Sequence, residues 1–381
     1  MGRPLVFEKW PALAGALEWM PLGEYPTPVE KLAGTCEARG LSGLYVKRDD
    51  LSSPFYGGNK VRKLEFLLAR AKARGHRTLL TFGADGSNHV VATVIHGKRL
   101  GMSTVAVLMP QHNASYVRKN LLLDLANEAS FVLAPAPALE PLAVIPGMVR
   151  GFDAEKMRFP FVVPPGGSTV AGTIGYVDAA LELKKQVDEG LLPEPDFIFV
   201  TYGSGSTAAG LLLGAGLAGL RSEVVAVRVV DRFMCNRYLL ARHVNAAARF
   251  LRDNAPGSNA RSIHPGDILL VDDFAGPTYS RFTPEGMEAV ELARSRDGML
   301  LDGTYTGKTF AAALDFLERN GLHRRSSLFW NTYNSADLSP VIEGIDYHDL
   351  PAGLHHYFEE PVQEEEFAYR GGTRTGAPGP G

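Results

Sequence analysis

The stretch YGGNKVRKLE (residues 56–65) places a lysine, Lys60, between two glycines and the start of a helical pattern. A lysine amine adds to carbonyl compounds once it has lost its proton. A helix N-terminus is the positive end of the helix dipole, so it disfavours the ammonium form of a lysine placed there. Gly57 and Gly58 let another group approach the backbone closely. The pattern predicts a reactive lysine, in contrast to a solvated surface lysine such as Lys63.

A second candidate site is GSGSTAAG (residues 203–210), which follows an apolar run and opens another helical pattern. Hydroxyls and free backbone N–H groups at a helix start form a site for a single phosphate monoester, because the dipole and the amides both favour an anion. The candidate ligands are Gly203, Ser204, Gly205, Ser206 and Thr207. The alternative is a glycine-rich turn that serves only tight packing of a strand against a helix.

Two nucleotide-binding motifs match only in part. The dinucleotide pattern G-x-G-x-x-A is matched by Gly203, Gly205 and Ala208. The acidic residue that should follow about 20 positions on is Asp231, which lies 28 positions past Gly203. The stretch GTYTGKT (residues 303–309) resembles a Walker A loop but has three residues between its glycines instead of four. A nucleotide hydrolase is disfavoured, and an NAD-dependent oxidoreductase stays an alternative.

A further turn, GADGSNHVVAT (residues 83–93), brings Ser87, Asn88 and His89 to the start of a predicted helix. Backbone N–H groups at this position can hold a substrate carboxylate, and the Ser87 hydroxyl is a candidate proton shuttle. The alternative is that Ser87 and Asn88 only cap the helix. His89 is the weakest candidate of the three, because a histidine on a helix is commonly a packed side chain.

These sites depend on an alternation of apolar runs rich in Val, Ile and Leu with helical patterns. Strands are predicted at 78–82, 103–109, 196–203, 222–230, 267–274, 298–305 and 327–330, and helices at 88–100, 115–127, 206–219 and about 307–319. This alternation predicts an α/β fold with parallel sheets covered by helices, whose strands end in ligand-bearing loops. Breaks rich in Pro and Gly at 159–168 and 191–196 are candidate hinges between two α/β layers.

Composition limits the possible partners. The 381 residues are 45% hydrophobic, enough for two domains or one large α/β unit. A formal net charge of −3 gives no basic field for nucleic acid, and no apolar run of about 18 residues indicates a membrane span. We therefore expect a small-molecule partner and no metal site. Cys36 and Cys235 are predicted to be buried small residues, and the start of the sequence shows no signal-peptide pattern, which favours a cytoplasmic location.

The two main motifs together call for a cofactor that carries one phosphate and condenses with a lysine, and pyridoxal 5'-phosphate meets both requirements. Segments 46–69, 86–89, 164–169, 201–211 and 305–309 resemble the D-cysteine desulfhydrase and 1-aminocyclopropane-1-carboxylate deaminase family of pyridoxal-phosphate enzymes. The resemblance runs from about residue 25 to 340, and the segment around Lys60 is its most specific part.

The resemblance implies two open parallel-sheet α/β domains of the tryptophan-synthase-β-like fold (fold type II), with the cofactor in the cleft between them. The implied large, cofactor-binding domain comprises residues 1–62 and 179–370, and the small α/β domain comprises residues 63–178. Residues 371–381 lack a core-forming pattern and are predicted to be a flexible tail. The resemblance also implies a homodimer.

Within this family, Lys60 would hold the cofactor and act on the substrate, and Asn88 would bond the cofactor's phenolic oxygen. Tyr279 and Tyr305 match family positions that bring phenols to the substrate and to the ring face. A phenol acts as acid or base once its pKa is lowered beside a cation.

The partner of the cofactor's pyridine nitrogen sets the reaction type. Where the cyclopropane-opening deaminases carry a glutamate after the motif tyrosine, this chain has Thr306, as the desulfhydrases do. Thr332 is an equally good candidate for this contact. A carboxylate keeps the pyridine ring protonated and therefore strongly electron-withdrawing, whereas a neutral hydroxyl does so less. Ring opening is therefore disfavoured. The expected reaction is α,β-elimination from a small, D-cysteine-like amino acid, giving a 2-oxo acid and ammonia.

The chain departs from the family pattern around the substrate. The run from Asn331 to Asn334 replaces His-Thr-Gly-Gly of the desulfhydrases, Gly303 replaces a proline, and Asp85 and Gly86 replace Ile-Gln. These changes put the substrate in doubt and leave the cofactor chemistry intact. The alternatives are a 1-aminocyclopropane-1-carboxylate deaminase, an NAD-dependent oxidoreductase and a pyridoxal-phosphate-binding protein without catalysis.

Overall fold

The protein is described by a computed structural model over residues 2–135 and 140–367. The predicted flexible tail at 371–381 lies outside these residues. The strands are β1 (Val29–Lys31), β2 (Gly43–Lys47), β3 (Thr78–Ala84), β4 (Ser103–Met109), β5 (Ser130–Leu133), β6 (Phe161–Val163), β7 (Phe197–Tyr202), β8 (Glu223–Arg228), β9 (Leu269–Val271) and β10 (Ser326–Trp330). Within the described ranges, no helix is long and apolar enough to cross a bilayer.

The helices alternate with these strands, as the apolar pattern predicts. They are α1 (Leu5–Lys9), α2 (Ala33–Arg39), α3 (Lys60–Ala73), α4 (Asn88–Arg99), α5 (Ser115–Ala126), α6 (Glu140–Arg150), α7 (Val170–Asp188), α8 (Ser206–Ala218), α9 (Arg237–Asn254), α10 (Pro284–Asp297), α11 (Thr306–Arg319), α12 (Ser339–Ile342) and α13 (His356–Glu359). A short 3-10 turn at Pro165–Gly167 leads from β6 towards α7.

The strands form two sheets. The six-stranded sheet has the order β1-β2-β10-β7-β8-β9, and only β1 runs antiparallel to its neighbour. The four-stranded sheet has the order β5-β4-β3-β6 and is parallel throughout. In β7, Ile198 and Val200 pack into a core that includes residues of α7, α8 and α9, whereas Phe199 packs into a core with residues of α10 and α11. Burial on both faces explains why these strands read as continuous apolar runs.

One strand prediction is wrong, and a second strand is shorter than predicted. The segment 298–305 contains no strand, although its apolar residues Met299 and Leu301 are buried. The backbone after them turns around the Asp302 carboxylate instead of pairing with a neighbouring strand, so burial here comes without a hydrogen-bonded ladder. The predicted strand at 267–274 is reduced to Leu269–Val271.

All strands of the four-stranded sheet come from residues between 78 and 163, and the six-stranded sheet uses residues on both sides of that segment. The domain boundaries expected at 62/63 and 178/179 fall inside α3 and α7, and these two helices pack against each other. The precise division into domains stays a prediction.

Helix α3 is tied to both β2 and α7 by a buried ion cluster. Arg62 donates to Asp49 and to Glu182, and Lys47 donates to Glu182 as well. Asp49 also accepts the indole N–H of Trp330 at 2.8 Å. Burial alone would raise the pKa of the Asp49 carboxyl, but the charge and hydrogen bonds of Arg62 lower it to about 2. The cluster therefore holds the helix that begins at Lys60.

Replacing Asp49 with asparagine is expected to lower the free energy of unfolding by about 3–5 kcal/mol, because two buried cations, Arg62 and Lys47, then share the single carboxylate of Glu182. Urea-induced unfolding of the two proteins measures the difference. The control is Glu128→Gln, which breaks an exposed pair with Lys98 and should change stability by less than about 1 kcal/mol. Equal effects of the two substitutions would contradict the role of the cluster.

Candidate active site

Lys60 is the first residue of α3, as the sequence predicts, and its side chain is partly buried. Its Nζ donates to Asn59 Oδ1 at 2.7 Å. Burial lowers the pKa of Lys60 to about 8, although Asp302 opposes this shift. Gly58 has a φ of 94°, and a Cβ at this position would lie 2.5 Å from the carbonyl oxygen of Tyr333. A glycine is therefore required where the chain turns into the helix.

The glycine-rich turn ends at the N-terminus of α8, which begins at Ser206. Gly205 has a φ of 104°, and a Cβ there would lie 2.8 Å from the His243 ring. A side chain at this position would thus be strained and would also collide with its neighbour. The first N–H groups of an α-helix have no carbonyl partner within the helix, so this turn offers donors to an anion.

Hydrogen bonds from Asn59, Ser168 and Cys235 join the glycine-rich turn to other segments. Asn59 Nδ2 donates to Thr207 Oγ1 at 3.0 Å, which links the turn to the residue next to Lys60. Ser168 Oγ donates to Ser206 Oγ at 3.2 Å, which links it to the loop before α7. The lysine and the turn are therefore parts of one site.

Lys63 is buried, so the expectation that it is a solvated surface lysine is wrong. Lys63 is 1% exposed, and its Nζ donates to the Gly166 carbonyl oxygen at 3.0 Å. Gly166 itself lies against Ser204, since a Cβ on Gly166 would be 2.0 Å from Ser204 Oγ. Burial, and then the charge of Lys60, hold the pKa of Lys63 well below its usual value. Its spacing from Lys60 could have predicted that Lys63 belongs to the site, because residues i and i+3 lie on the same face of a helix.

At the start of α4, Ser87 is the N-cap residue, and its Oγ accepts from the Val90 N–H at 3.4 Å. Asn88 is the first residue of the helix. The His89 ring is buried and lies 3.1 Å from Thr81 Oγ1, and burial holds its pKa well below the usual value. Ser87 therefore caps the helix, as the alternative interpretation proposed. Capping by Ser87 is compatible with binding of a ligand at the same helix start.

Tyr279 and Tyr305 lie together. Their hydroxyls are hydrogen-bonded to each other, and their ring centroids are 6.3 Å apart in an edge-to-face arrangement. Burial raises the pKa of Tyr279 to about 12 and that of Tyr305 well above its usual value. The expected lowering of a phenol pKa beside a cation is therefore not found, and both phenols keep their protons at neutral pH.

A third phenol, Tyr116 of α5, belongs to the same cluster and was missed from the sequence. Its Oη is 3.0 Å from Thr304 Oγ1, next to Tyr305, and it accepts from Gln111 Nε2 at 2.8 Å. No local sequence motif identifies Tyr116 as a site residue, because it comes from α5, which follows strand β4 of the four-stranded sheet.

The buried carboxylate of Asp302 organises the loop that carries Tyr305. It accepts from the Thr304 and Tyr305 N–H groups at 2.9 and 2.6 Å, and from Thr306 Oγ1 at 2.8 Å. The hydroxyl proton of Thr306 is thus engaged. The Thr332 hydroxyl, in contrast, has no hydrogen-bond partner among the residues of the structure that are described here, so it is the freer of the two candidates.

The residues present fit pyridoxal phosphate. A lysine of lowered pKa lies beside a helix N-terminus whose glycine cannot accept a side chain, and serine and threonine hydroxyls line that turn. In the described part of the chain, no group of three His, Cys, Asp or Glu side chains is arranged to hold a metal ion. The lysine and the turn together suit an organic phosphate that reacts with an amine.

Comparison with solved structures supports this conclusion. The protein is similar to a structure described as an ACC (1-aminocyclopropane-1-carboxylate) deaminase homologue, with 30% sequence identity and a TM-score of 0.73, over 88% of this chain and 96% of that chain. It also resembles an L-serine ammonia-lyase from Rhizomucor miehei, with 16% identity and a TM-score of 0.57, over 90% of this chain and 99% of that one. A hydrogen sulfide-producing enzyme from Fusobacterium nucleatum has 14% identity and a TM-score of 0.55, over 82% and 95% of the two chains. The last two show the shared fold only.

A family model described as pyridoxal-phosphate dependent enzyme matches residues 20–332. The mixed α/β architecture with two parallel sheets is that of fold type II, as the resemblance implied. The cofactor is pyridoxal phosphate, which decides against the dinucleotide alternative for the glycine-rich turn. This chain belongs to the family of pyridoxal-phosphate-dependent enzymes.

Proposed function

We propose that this chain catalyses α,β-elimination from a small amino acid that carries a leaving group on its β-carbon, with a D-cysteine-like compound as the first candidate substrate. The observation that carries the proposal is the hydrogen bonding of the Asp302 carboxylate. Its two oxygens already accept four hydrogen bonds from residues 304–306. A neutral hydroxyl is then the partner for the pyridine nitrogen, and Thr332 is the better candidate because the Thr306 hydroxyl already donates to Asp302. Such a partner suits elimination of a good leaving group better than opening of a cyclopropane.

The residues that would hold the cofactor surround Lys60, which joins it through its amine. The phosphate would be bound by the turn of residues 203–207, namely Gly203, Ser204, Gly205, Ser206 and Thr207, with the Lys63 amine as an additional hydrogen-bond donor. Asn88 would contact the phenolic oxygen. When bound, pyridoxal phosphate withdraws electrons from the α-carbon of the substrate and so makes its proton acidic.

Each remaining group has a role that follows from its charge and position. Once the substrate amine has displaced Lys60 from the cofactor, the freed Lys60 amine would take the α-proton, since its lowered pKa favours the neutral form. The turn from Ser87 to His89 holds the substrate carboxylate at the start of α4 through the backbone N–H groups of Asn88 and His89, since the Ser87 N–H already donates to the Ala84 carbonyl. The Ser87 Oγ can relay a proton.

The phenols complete the reaction. As the bond from the β-carbon to the leaving group breaks, its electron pair stays on the leaving atom, which takes a proton from the Tyr279–Tyr305 pair. Water then hydrolyses the released enamine to the 2-oxo acid and ammonia. With cysteine as substrate, the leaving group departs as hydrogen sulfide, and one water is consumed for each turnover.

The reaction is tested by supplying D- and L-cysteine, β-chloroalanine, serine and 1-aminocyclopropane-1-carboxylate to the holoenzyme and following ammonia and 2-oxo acid. Release of ammonia and 2-oxo acid from D-cysteine supports the proposal in full. Release from β-chloroalanine alone supports the elimination reaction but excludes a D-cysteine-like substrate. Turnover of none of the five overturns the catalytic proposal and favours a pyridoxal-phosphate-binding protein without catalysis.

A second candidate, opening of the cyclopropane ring, is favoured by one observation: the 30% identical structure is described as an ACC deaminase homologue. Release of ammonia from 1-aminocyclopropane-1-carboxylate alone would establish this reaction and would overturn the argument from Thr306.

The rate at which cofactor-free protein takes up pyridoxal phosphate is expected to rise with pH up to about 8 and to stay constant above it. Only the free amine adds to an aldehyde, and the lowered pKa of Lys60 sets the pH above which that form predominates. Stopped-flow absorbance of the bound cofactor measures this rate. A rate that does not change between neutral and alkaline pH would contradict the assignment of Lys60.

We propose further that the protein is a cytoplasmic homodimer whose two domains, residues 1–62 with 179–370 and residues 63–178, enclose the cofactor. Two free, buried cysteines support a reducing compartment. Leu142, Ile145 and Val149 recur on one face of α6, and each is more than half exposed, which supports association with a second subunit. Light scattering after size-exclusion chromatography decides between monomer and dimer.

A further inference from the structure

The carboxamide oxygen of Asn88 is held by two donors from separate segments. Tyr56 Oη, from the loop before Lys60, donates to Asn88 Oδ1 at 2.9 Å. Asn120 Nδ2, from helix α5, donates to the same oxygen, also at 2.9 Å. Asn88 itself is the first residue of α4, so three elements meet at one amide group.

A carboxamide can in principle rotate by half a turn and exchange its oxygen with its nitrogen. Here the backbone carbonyl of Gly86 removes that freedom. Asn120 Nδ2 also donates to Gly86 O at 2.8 Å, and a carbonyl oxygen can only accept. The Asn120 nitrogen must therefore face both partners, and Asn88 must present its oxygen to it. The N–H groups of Asn88 are left on the opposite side.

Burial of the surrounding residues makes the orientation of the Asn88 carboxamide rigid. Tyr56 is 2% exposed and Asn120 is 4% exposed, so water does not compete for their hydrogen bonds. Gly86 is packed directly against α5, because a Cβ there would lie 2.7 Å from a Val117 methyl carbon. Burial also raises the pKa of Tyr56 well above its usual value, which keeps its hydroxyl a donor.

We propose that Tyr56 and Asn120 are positioning residues that fix the Asn88 carboxamide so that its N–H groups, and not its oxygen, face the phenolic oxygen of pyridoxal phosphate. The inference rests on the contact between Asn88 and that oxygen put forward above. A phenolate accepts a hydrogen bond from an N–H group and is repelled by a carbonyl oxygen, so the orientation of this one amide decides whether it attracts the cofactor.

The test measures binding of pyridoxal phosphate to cofactor-free protein and the visible absorbance spectrum of the bound cofactor. Asn120→Leu should weaken binding about tenfold and shift the visible band, since a hydrogen bond to a charged group is lost. Tyr56→Phe, which removes only one of the two donors, should have a smaller effect in the same direction. The matched control is Asn127→Ala at the C-cap of the same helix, which removes a bond to the Leu123 carbonyl and should change neither measurement.

A double-mutant cycle separates positioning from a general loss of structure. If Asn120 acts through Asn88, then Asn120→Leu has no further effect on binding or spectrum in an Asn88→Ala background. The same weakening in both backgrounds overturns the inference. If Asn88→Ala alone leaves both measurements unchanged, the contact between Asn88 and the cofactor is wrong and the inference falls with it.

Neither measurement uses turnover, so failure of the proposed elimination reaction would be seen separately in the amino-acid panel. Thermal unfolding shows whether each variant is folded. Should Asn120→Leu not fold, Tyr56→Phe carries the same cycle against Asn88→Ala, with equal effects in both backgrounds again overturning the inference.

Discussion

Replacing Lys60 with alanine is expected to lower kcat by roughly 1,000-fold or more, the contribution of a positioned proton-transfer group at the upper part of its usual range. The same change should remove the covalent link to the cofactor. Both effects follow from the position of the amine, which is the first side chain of α3 and has its pKa lowered to about 8 by burial.

Borohydride reduction of the holoenzyme followed by peptide mapping locates the attachment, and steady-state release of 2-oxo acid measures kcat. The control is Lys72→Ala, an exposed lysine of the same helix, which should leave both results unchanged. A label on another lysine, or full activity in the Lys60 variant, would show that the assignment is wrong.

Replacing Gly205 with valine is expected to weaken binding of pyridoxal phosphate about 100-fold. Left-handed backbone strain costs roughly 1–3 kcal/mol in a residue with a side chain, and each 1.4 kcal/mol changes an affinity about tenfold. The backbone of Gly205 has a φ of 104°, and a Cβ would lie 2.8 Å from the His243 ring, so the turn that presents the N–H groups of α8 must move.

Titration of cofactor-free protein, followed by the visible absorbance of the bound cofactor, gives the dissociation constant. Gly216→Val is the matched control, because Gly216 lies in the same helix and a Cβ there meets no atom within 4 Å. Unchanged affinity in the Gly205 variant would place the phosphate site outside this turn.

Much of the fold could be predicted because parallel strands buried on both faces leave a local signature. The runs at 78–82, 103–109 and 327–330 all correspond to strands, since each is apolar and short. The run at 298–305 has the same signature without forming a strand. Its apolar residues are buried by tertiary packing, and periodicity does not distinguish such burial from pairing within a sheet.

The candidate site was predicted only where chemistry is carried by a local motif. Lys60 and the turn that ends at Ser206 both stand at helix starts, which is visible in the sequence. Lys63 was assigned to the surface because its partner, the carbonyl of Gly166, is more than a hundred positions away in the sequence. Asn120 was missed for the same reason, because neither contact of its Nδ2 is local. Contacts of this kind depend on the packing of whole elements.

The pairing of β2 with β10 governs the order in which a nascent chain can assemble. Ribosomal synthesis delivers all four strands of the smaller sheet before β7 appears, and these strands can pair as they emerge. Strand β2 is synthesised early and needs β10 beside it, and β10 is the last strand in the part of the chain that the structure describes. Thr332 and the carbonyls that line Gly58 follow immediately after β10. The proposed cofactor site can therefore be completed only after β10 has been synthesised, and a chain that stops before Ser326 leaves one side of β2 as an open edge.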